Sequence, residues 1–226
     1  MSFISPRLQA VLECIEKCNV LADIGTDHAY LPIEAVKKNF CERAIACDIN
    51  KGPLETAKKN ILNAGLYEKI ETRLGNGLEP ISVNEADCIT ITGMGGMLIK
   101  DILQNAQHKI KKSKIILSPQ HDLEELRRFL YLNKYKIKEK LVRDRERFYN
   151  VLIAHVTNEE QPWTDTEFFL GKIESPDIDL YYLMLHKKIS GYIHFITDEG
   201  TRQRAEKQLK WLEEGIKKHG NNGLDN

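Results

Sequence analysis

Through the first two thirds of the chain, short apolar runs alternate with stretches in which apolar residues recur every three or four positions. Asn19 to Gly25 (NVLADIG), Ala44 to Asp48 (AIACD), Ile70 to Leu74 (IETRL), Cys88 to Thr92 (CITIT) and Lys114 to Ser118 (KIILS) are brief and rich in β-branched or apolar residues. Buried parallel strands read this way, because both of their faces are covered. Helical periodicity predicts helices over Ser5 to Cys18, Ala29 to Lys38, Pro53 to Ala64, Gly96 to Gln107 and Asp122 to Asn133. Pro53 suits a first helical turn, and Asn63-Ala64-Gly65 reads as that helix's end. Strand and helix in strict alternation imply right-handed crossovers and an α/β, doubly wound sheet. Two further runs, Tyr135 to Val142 and Phe148 to Val156, have only Arg143 to Arg147 between them. That spacing fits a closing antiparallel hairpin and leaves no room for another crossover.

The polar stretch TNEEQPW, Thr157 to Trp163, marks a boundary, giving a first domain over 1–157 and a helical one over 158–226. Beyond it Ile178, Tyr182, Leu185, Ile189, Tyr192 and Ile196 recur at helical spacing. After the break TDEGT, Ala205, Leu209, Leu212 and Ile216 do the same. The expectation is two long helices packed antiparallel in a coiled-coil-like extension, a short helix at Thr164 to Gly171, and a frayed tail HGNNGLDN.

Composition narrows the class. The 226 residues carry 33 lysines and arginines against 33 aspartates and glutamates, which excludes a general polycation but not a local basic face. Cys14, Cys18, Cys41, Cys47 and Cys88 are odd in number and never form a CxxC pair, so neither a disulfide framework nor a zinc site is expected. The opening MSFISPRLQA has no apolar signal region, and no run reaches the roughly 18 residues of a membrane span. A cytoplasmic protein with no membrane and no metal partner is expected, and a monomer suffices.

In a doubly wound sheet, ligands bind beyond the carboxyl ends of the strands, where the strand order reverses. The loop after the first strand, in LADIGTDHAYLP, has Asp23 and Asp27 flanking Gly25. A pyrophosphate needs bare N–H groups and glycines there, and the carboxylates would repel it. The same pair suits a cationic ligand, and S-adenosylmethionine carries both a sulfonium and an ammonium group. Asp27 could equally be a helix N-cap before Ala29 to Val36. Asp48 closes the second strand about 20 residues after the loop glycine, where an acidic residue can hold ribose hydroxyls or simply serve a turn. Gly75-Asn76-Gly77 and Thr92-Gly93-Met94-Gly95-Gly96 follow the third and fourth strands, as close-approach turns do. Asn76 has the donor and acceptor needed to read an adenine edge.

DIGTDHAYLP, ACDIN, LGNGLEPI and ITGMGGMLI, in this order, closely resemble the bacterial tRNA adenine-N1-methyltransferases that modify position 22, the TrmK family. The resemblance extends over the opening Arg7-Leu8, the segment SPQHDLEELRRFLYLNKYKI and the C-terminal helical pair. It implies a class I methyltransferase fold with a coiled-coil-like extension, S-adenosylmethionine as cofactor and tRNA as partner. Carried over by position, Asp23, Gly25, Thr26, Asp27, His28, Asp48, Ile49, Asn76, Gly77, Gly93, Met94 and Gly95 would line the cofactor pocket. The chain departs from some relatives at Ser118-Pro119-Gln120, where they have a QPN-like sequence, and at Glu146-Arg147, where they have Gly-Lys.

For methyl transfer to adenine N1, the base must leave its pair, since N1 lies on the Watson–Crick edge. Asp27 is then the first candidate to stabilise the cationic product, with His28 and Tyr30 orienting or stacking. Alternatively His28 satisfies a local hydrogen bond and Tyr30 packs. Enzymes that methylate exocyclic amines often carry Asn/Asp-Pro-Pro-aromatic after the fourth strand, where this chain has Gly93-Met94-Gly95-Gly96. Between His108 and Arg147, thirteen lysines and arginines face six acids. Such a region can track a phosphate backbone, and Arg7, Lys111, Lys112, Arg127, Arg128 and Arg147 are the candidate RNA contacts. Lys134, Lys136, Lys138 and Lys140 also alternate like the wet face of an edge strand. Rival readings are a methyltransferase of similar fold acting on a small molecule or protein, an NAD-dependent oxidoreductase, and a non-catalytic RNA-binding protein.

Overall fold

The computed structural model describes residues 4–159 and 162–220. One sheet holds β1 (Cys18–Ile24), β2 (Cys41–Asp48), β3 (Ile70–Leu74), β4 (Cys88–Thr92), β5 (Lys114–Ser118), β6 (Tyr135–Asp144) and β7 (Arg147–Val156). Its spatial order is β3-β2-β1-β4-β5-β7-β6. The first five strands are parallel, and β7 runs antiparallel to both β5 and β6. Strand order therefore reverses between β1 and β4. Both faces are buried, with Ile24, Ile45, Ile89, Ile91 and Ile115 on one and Leu21, Ala44, Ala46 and Ile116 on the other. These are the apolar runs expected of covered parallel strands.

The crossover helices are α1 (Pro6–Glu13), α2 (Tyr30–Lys37), α3 (Lys51–Asn63), α4 (Gly96–Ala106) and α5 (Leu123–Leu132). Helix α1 stops four residues before β1, five residues short of the expected Cys18. Cys14 and Ile15 donate to the Val11 and Leu12 carbonyls in tight final turns, and Cys18 is already paired in register with Cys41. At its start, Ser5 accepts the Leu8 N–H and Pro6 fills the first turn. The hairpin strands run further than their hydrophobic pattern suggests. Asp144 pairs with Arg147, so the expected five-residue link shrinks to a two-residue turn with Arg145 at φ 57°.

The C-terminal helices are α6 (Asp165–Leu170), α7 (Ile178–Tyr192) and α8 (Glu199–Gly220), with a 3₁₀ turn at Ile193–Phe195. Thr164 and Glu167 form a capping box at the start of α6. His186 meets Glu213 at 3.4 Å, and Gly215 lies against the Tyr182 ring, so α7 and α8 are antiparallel. Residues 219 and 220 of the expected frayed tail belong to α8, and the remainder lies outside the described residues. Tyr181, Tyr182, Ile189, Ala205 and Leu212 form a core of their own, which takes in Leu141 and the partly buried Phe148 from the hairpin.

Arg127 joins this core to the sheet and corrects one expectation. Tyr135, Ile137 and Leu141 face inward along β6, and period-two alternation puts Glu139 in the same row. Arg127, on α5, is 0% exposed. It donates to both Glu139 carboxylate oxygens at 2.8 Å and to the Phe168 and Phe169 carbonyls at 2.9 and 2.8 Å. Those carbonyls end α6, so one guanidinium satisfies a buried acid and caps a helix. It has no surface to offer RNA.

Candidate active site

The loop between β1 and α2 is the most conformationally demanding stretch near the switch point. Gly25 (φ 74°), Asp27 (φ 47°) and Ala29 (φ 57°) all adopt left-handed conformations within five residues. Each non-glycine there carries a cost that the surroundings must hold in place. Gly25 and Thr26 both donate to the Cys47 carbonyl at 2.9 Å, and Asn60 of α3 donates to the His28 carbonyl at 3.0 Å. The expected capping role of Asp27 is not realised. Ala29 occupies the N-cap of α2 with no side-chain cap, and the Asp27 carboxylate, 66% exposed, stands 3.3 Å from His28 Nε2. The His28 and Tyr30 rings are 5.2 Å apart.

Asp23 sits at the centre of the switch point. Register pairs it with Thr90, whose hydroxyl donates to Asp23 Oδ1 at 2.7 Å. Burial pushes its carboxyl above the usual range of 3.8, against the Thr90 hydrogen bond, and the Asp48 carboxylate raises it further. The Thr26 hydroxyl is buried beside the Asp23 carboxyl, where it joins Thr90 in opposing that rise without reaching close hydrogen-bond geometry, and His28 Nδ1 is buried with no partner. Asp48 Oδ1 accepts the Asn50 N–H at 2.8 Å, a turn role, and Ile49 beside it is exposed. Asn76 is exposed before Gly77 (φ 55°). A Cβ on Gly77 would collide with Ile102, and one on Gly25 with the Met94 methyl.

This arrangement fits a cationic adenosine-bearing cofactor better than a pyrophosphate. It offers Asp23, Asp27 and Asp48 with no lysine or arginine ion pair on any of them among the described residues, together with the buried, unpartnered His28 Nδ1 and glycines that admit close approach.

The turn after β4 is tied to the loop after β5. Gly93 donates to the Ser118 carbonyl at 3.1 Å, Gln120 to the Met94 carbonyl at 2.9 Å, and Gly96 to the His121 carbonyl at 2.9 Å. Beside this pair opens a cleft of about 800 Å³, walled by the β5 loop, the hairpin tip and α7. Arg7 enters it with its guanidinium 5.6 Å from the Tyr149 ring centroid and close to Gly93. Arg147 lines the same cleft.

The other expected RNA contacts are not brought there. Lys111 and Lys112 precede β5, at the sheet edge opposite the carboxyl ends. Arg128 is engaged by Glu124 at 3.0 Å and Asp165 at 2.8 Å and stacks over Phe168. Lys114, Lys136, Lys140 and Arg143 are likewise paired with Glu16, Glu159, Glu13 and Asp177, so much of the local cationic excess is matched in space. Sequence reasoning passed over His121, Asp122, Tyr149 and Thr90. The His-Asp pair directly after a strand's carboxyl end was a readable signal; Thr90 becomes meaningful only through strand register.

Residues 4–152 match a family model described as a methyltransferase domain. The chain is 38% identical over 175 residues to the tRNA (adenine(22)-N(1))-methyltransferase of Bacillus subtilis, covering 76% of this chain and 74% of that protein. The crystal structure of the B. subtilis m1A22 tRNA methyltransferase TrmK superimposes with a TM-score of 0.85 at 31% identity, over 96% of this chain and all of that one. The structure of M. capricolum TrmK in complex with S-adenosyl-homocysteine gives 0.81 at 28% identity, over 95% of this chain and 98% of that one. With the switch-point cradle, the fold and this likeness together, the chain belongs to the methyltransferase-domain family and, within it, to the tRNA (adenine(22)-N(1))-methyltransferases.

Proposed function

We propose that this protein methylates N1 of an adenosine in tRNA, at position 22, using S-adenosylmethionine. The observation that carries the cofactor is the acidic cradle of Asp23, Asp27 and Asp48 at the β1–β4 switch point, with His28 Nδ1 buried and unpartnered beside it. The B. subtilis relative's activity supplies the acceptor, and the product S-adenosyl-homocysteine in the M. capricolum relative agrees with the donor. Asp23, Thr26, His28 and Asp48 would hold the donor, with Gly25, Gly77 and Gly93 to Gly95 forming its walls. S-adenosylmethionine, when bound, supplies an electrophilic methyl group.

Transfer to a ring nitrogen needs little covalent help, so this chain's contribution is positioning and electrostatics. The adenine is turned out of its stack into the cleft beside Gly93 to Gly96. Asp27, exposed at the edge of the donor loop, is placed to stabilise the positive charge that develops on the base, and Tyr30 to pack against it. Arg7 and Arg147 at the cleft supply phosphate contacts. The setting is the cytoplasm, where tRNA is found.

The test is incubation of the protein with S-adenosylmethionine and unmodified tRNA, followed by digestion and mass spectrometry of the nucleosides. Appearance of 1-methyladenosine, with a reverse-transcription stop at position 22, is the expected result. Its absence across a full tRNA set, with donor binding intact, overturns the acceptor assignment. In the same assay Asp27→Ala is expected to slow transfer about 100-fold or more; unchanged turnover by the folded variant removes Asp27 from the mechanism.

A further inference from the structure

Asp122 stands at the N-cap of α5, the position where aspartate normally accepts a backbone N–H of the first turn. It does not do so here. Its backbone is left-handed (φ 58°) and no side-chain cap is present, whereas Ser5 and Thr164 cap their helices in the ordinary way. The Asp122 carboxylate is turned instead to His121, with Oδ2 2.7 Å from Nδ1. With the carboxylate as acceptor, Nδ1 carries the proton, which leaves Nε2 of the neutral ring as a lone-pair nitrogen.

The turn after β4 is shaped around this dyad. A Cβ on Gly95 would run into the His121 ring at Cε1 and Nε2, and one on Gly96 would strike the Asp122 carbonyl. The ring therefore rests on the turn that flanks the donor pocket, and it is 65% exposed toward the cleft. Exocyclic-amine methyltransferases often carry an Asn or Asp side chain in the turn after the fourth strand, and here Gly93-Met94-Gly95-Gly96 offers no polar side chain.

We propose that His121, oriented by Asp122, accepts a hydrogen bond from the exocyclic amine of the target adenine, supplying from the β5 loop the acceptor that the glycine turn lacks. This rests on the reading of the chain as an adenine-N1 methyltransferase. N1 and the amine share one edge of the base. As the N1 lone pair bonds to the methyl carbon, the carbon–sulfur bond breaks and its electron pair returns to sulfur. The positive charge left on the base spreads to the amine and makes its N–H a stronger donor. A fixed acceptor therefore gains strength in the transition state over the ground state, which is what accelerates the step. No proton has to leave for the step to balance.

Two substitutions separate this role from a structural one. His121→Phe keeps a ring over Gly95 and loses the acceptor; His121→Gln loses the ring and keeps an acceptor. Single-turnover methylation of unmodified tRNA is expected to fall about 10- to 100-fold for His121→Phe. His121→Gln should recover most of that loss, with calorimetric S-adenosylmethionine affinity unchanged in both. On the same tRNA carrying purine riboside at the target position, which retains N1 but has no amine, wild type and His121→Phe should methylate at rates within about twofold of each other. Glutamine slower than phenylalanine, no loss with phenylalanine, or an equal loss on both RNAs overturns the assignment. If wild type leaves the adenosine tRNA unmethylated, the underlying reading falls as well; if wild type methylates it and the variants miss the pattern, the inference alone does.

Discussion

Arg127→Met tests how the C-terminal helices are held to the sheet. Methionine keeps much of the aliphatic volume but removes four donated hydrogen bonds, two to Glu139 and two to the carbonyls ending α6. Breaking a buried ion pair by deleting one partner costs about 3–5 kcal/mol. Each carbonyl left without its donor adds about 1 kcal/mol. Protonation of the stranded Glu139 limits the first contribution, so the sum is about 5 kcal/mol. For a chain of this size each kcal/mol shifts the midpoint by about 2–4 °C, so Tm should fall by roughly 10–20 °C. Scanning calorimetry measures this directly. The double variant Arg127→Met/Glu139→Leu should regain most of the loss, because an apolar pair of similar volume removes the buried charge altogether. A single variant within about 2 °C of wild type refutes the clamp. A stable variant that has lost tRNA affinity would return Arg127 to the RNA-binding surface.

As a proposed ligand of the donor, Asp23 would link donor binding to pH. Burial raises its carboxyl in the free protein, so the folded chain holds this proton more tightly than the unfolded one. Its contribution to stability therefore grows as pH falls from the raised value toward the ordinary 3.8. Binding of the cationic donor favours the ionised form and has the opposite sign. S-adenosylmethionine affinity should weaken as pH falls through the raised value, with proton uptake or release visible in calorimetry across buffers of different ionisation enthalpy. In Asp23→Asn that dependence should flatten; a slope identical to wild type refutes the assignment. Ala29→Gly frees a backbone held at φ 57° and places glycine at an N-cap, where it is favoured over alanine, but gives up one fully buried methyl, so urea stability should stay within about 1 kcal/mol of wild type. A loss above about 1 kcal/mol would show that the left-handed backbone is not strained there.

The alternation of apolar runs was enough to place all seven strands and the hairpin, since buried parallel strands leave a local signature. Limits were less legible where tertiary pairing sets them. The end of α1 is dictated by where Cys18 meets Cys41, and the length of the hairpin by the Asp144–Arg147 pair. The acidic character of the donor loop could be read because Asp23 and Asp27 are close in sequence. The fate of the basic region could not, because charge counted along a chain says nothing of partners up to 127 residues away, as in Lys140 and Glu13. Arg127 was the instructive miss. Glu139 falls in the inward row of Tyr135, Ile137 and Leu141, and a carboxylate in an apolar row calls for a buried cation.

The strand order also separates the two halves of the site in time of synthesis. The proposed donor cradle is made from β1 to β4 and their loops, all encoded before residue 97, although its central Asp23–Thr90 pairing joins segments 67 residues apart. The facing wall of the cleft arrives only with Tyr181 to Lys188 of α7. A chain emerging from the ribosome thus acquires the surfaces proposed to hold the methyl donor well before it can enclose an acceptor. A prematurely terminated product lacking α7 lacks that wall, so the cleft proposed for the acceptor forms only after α7 has been made.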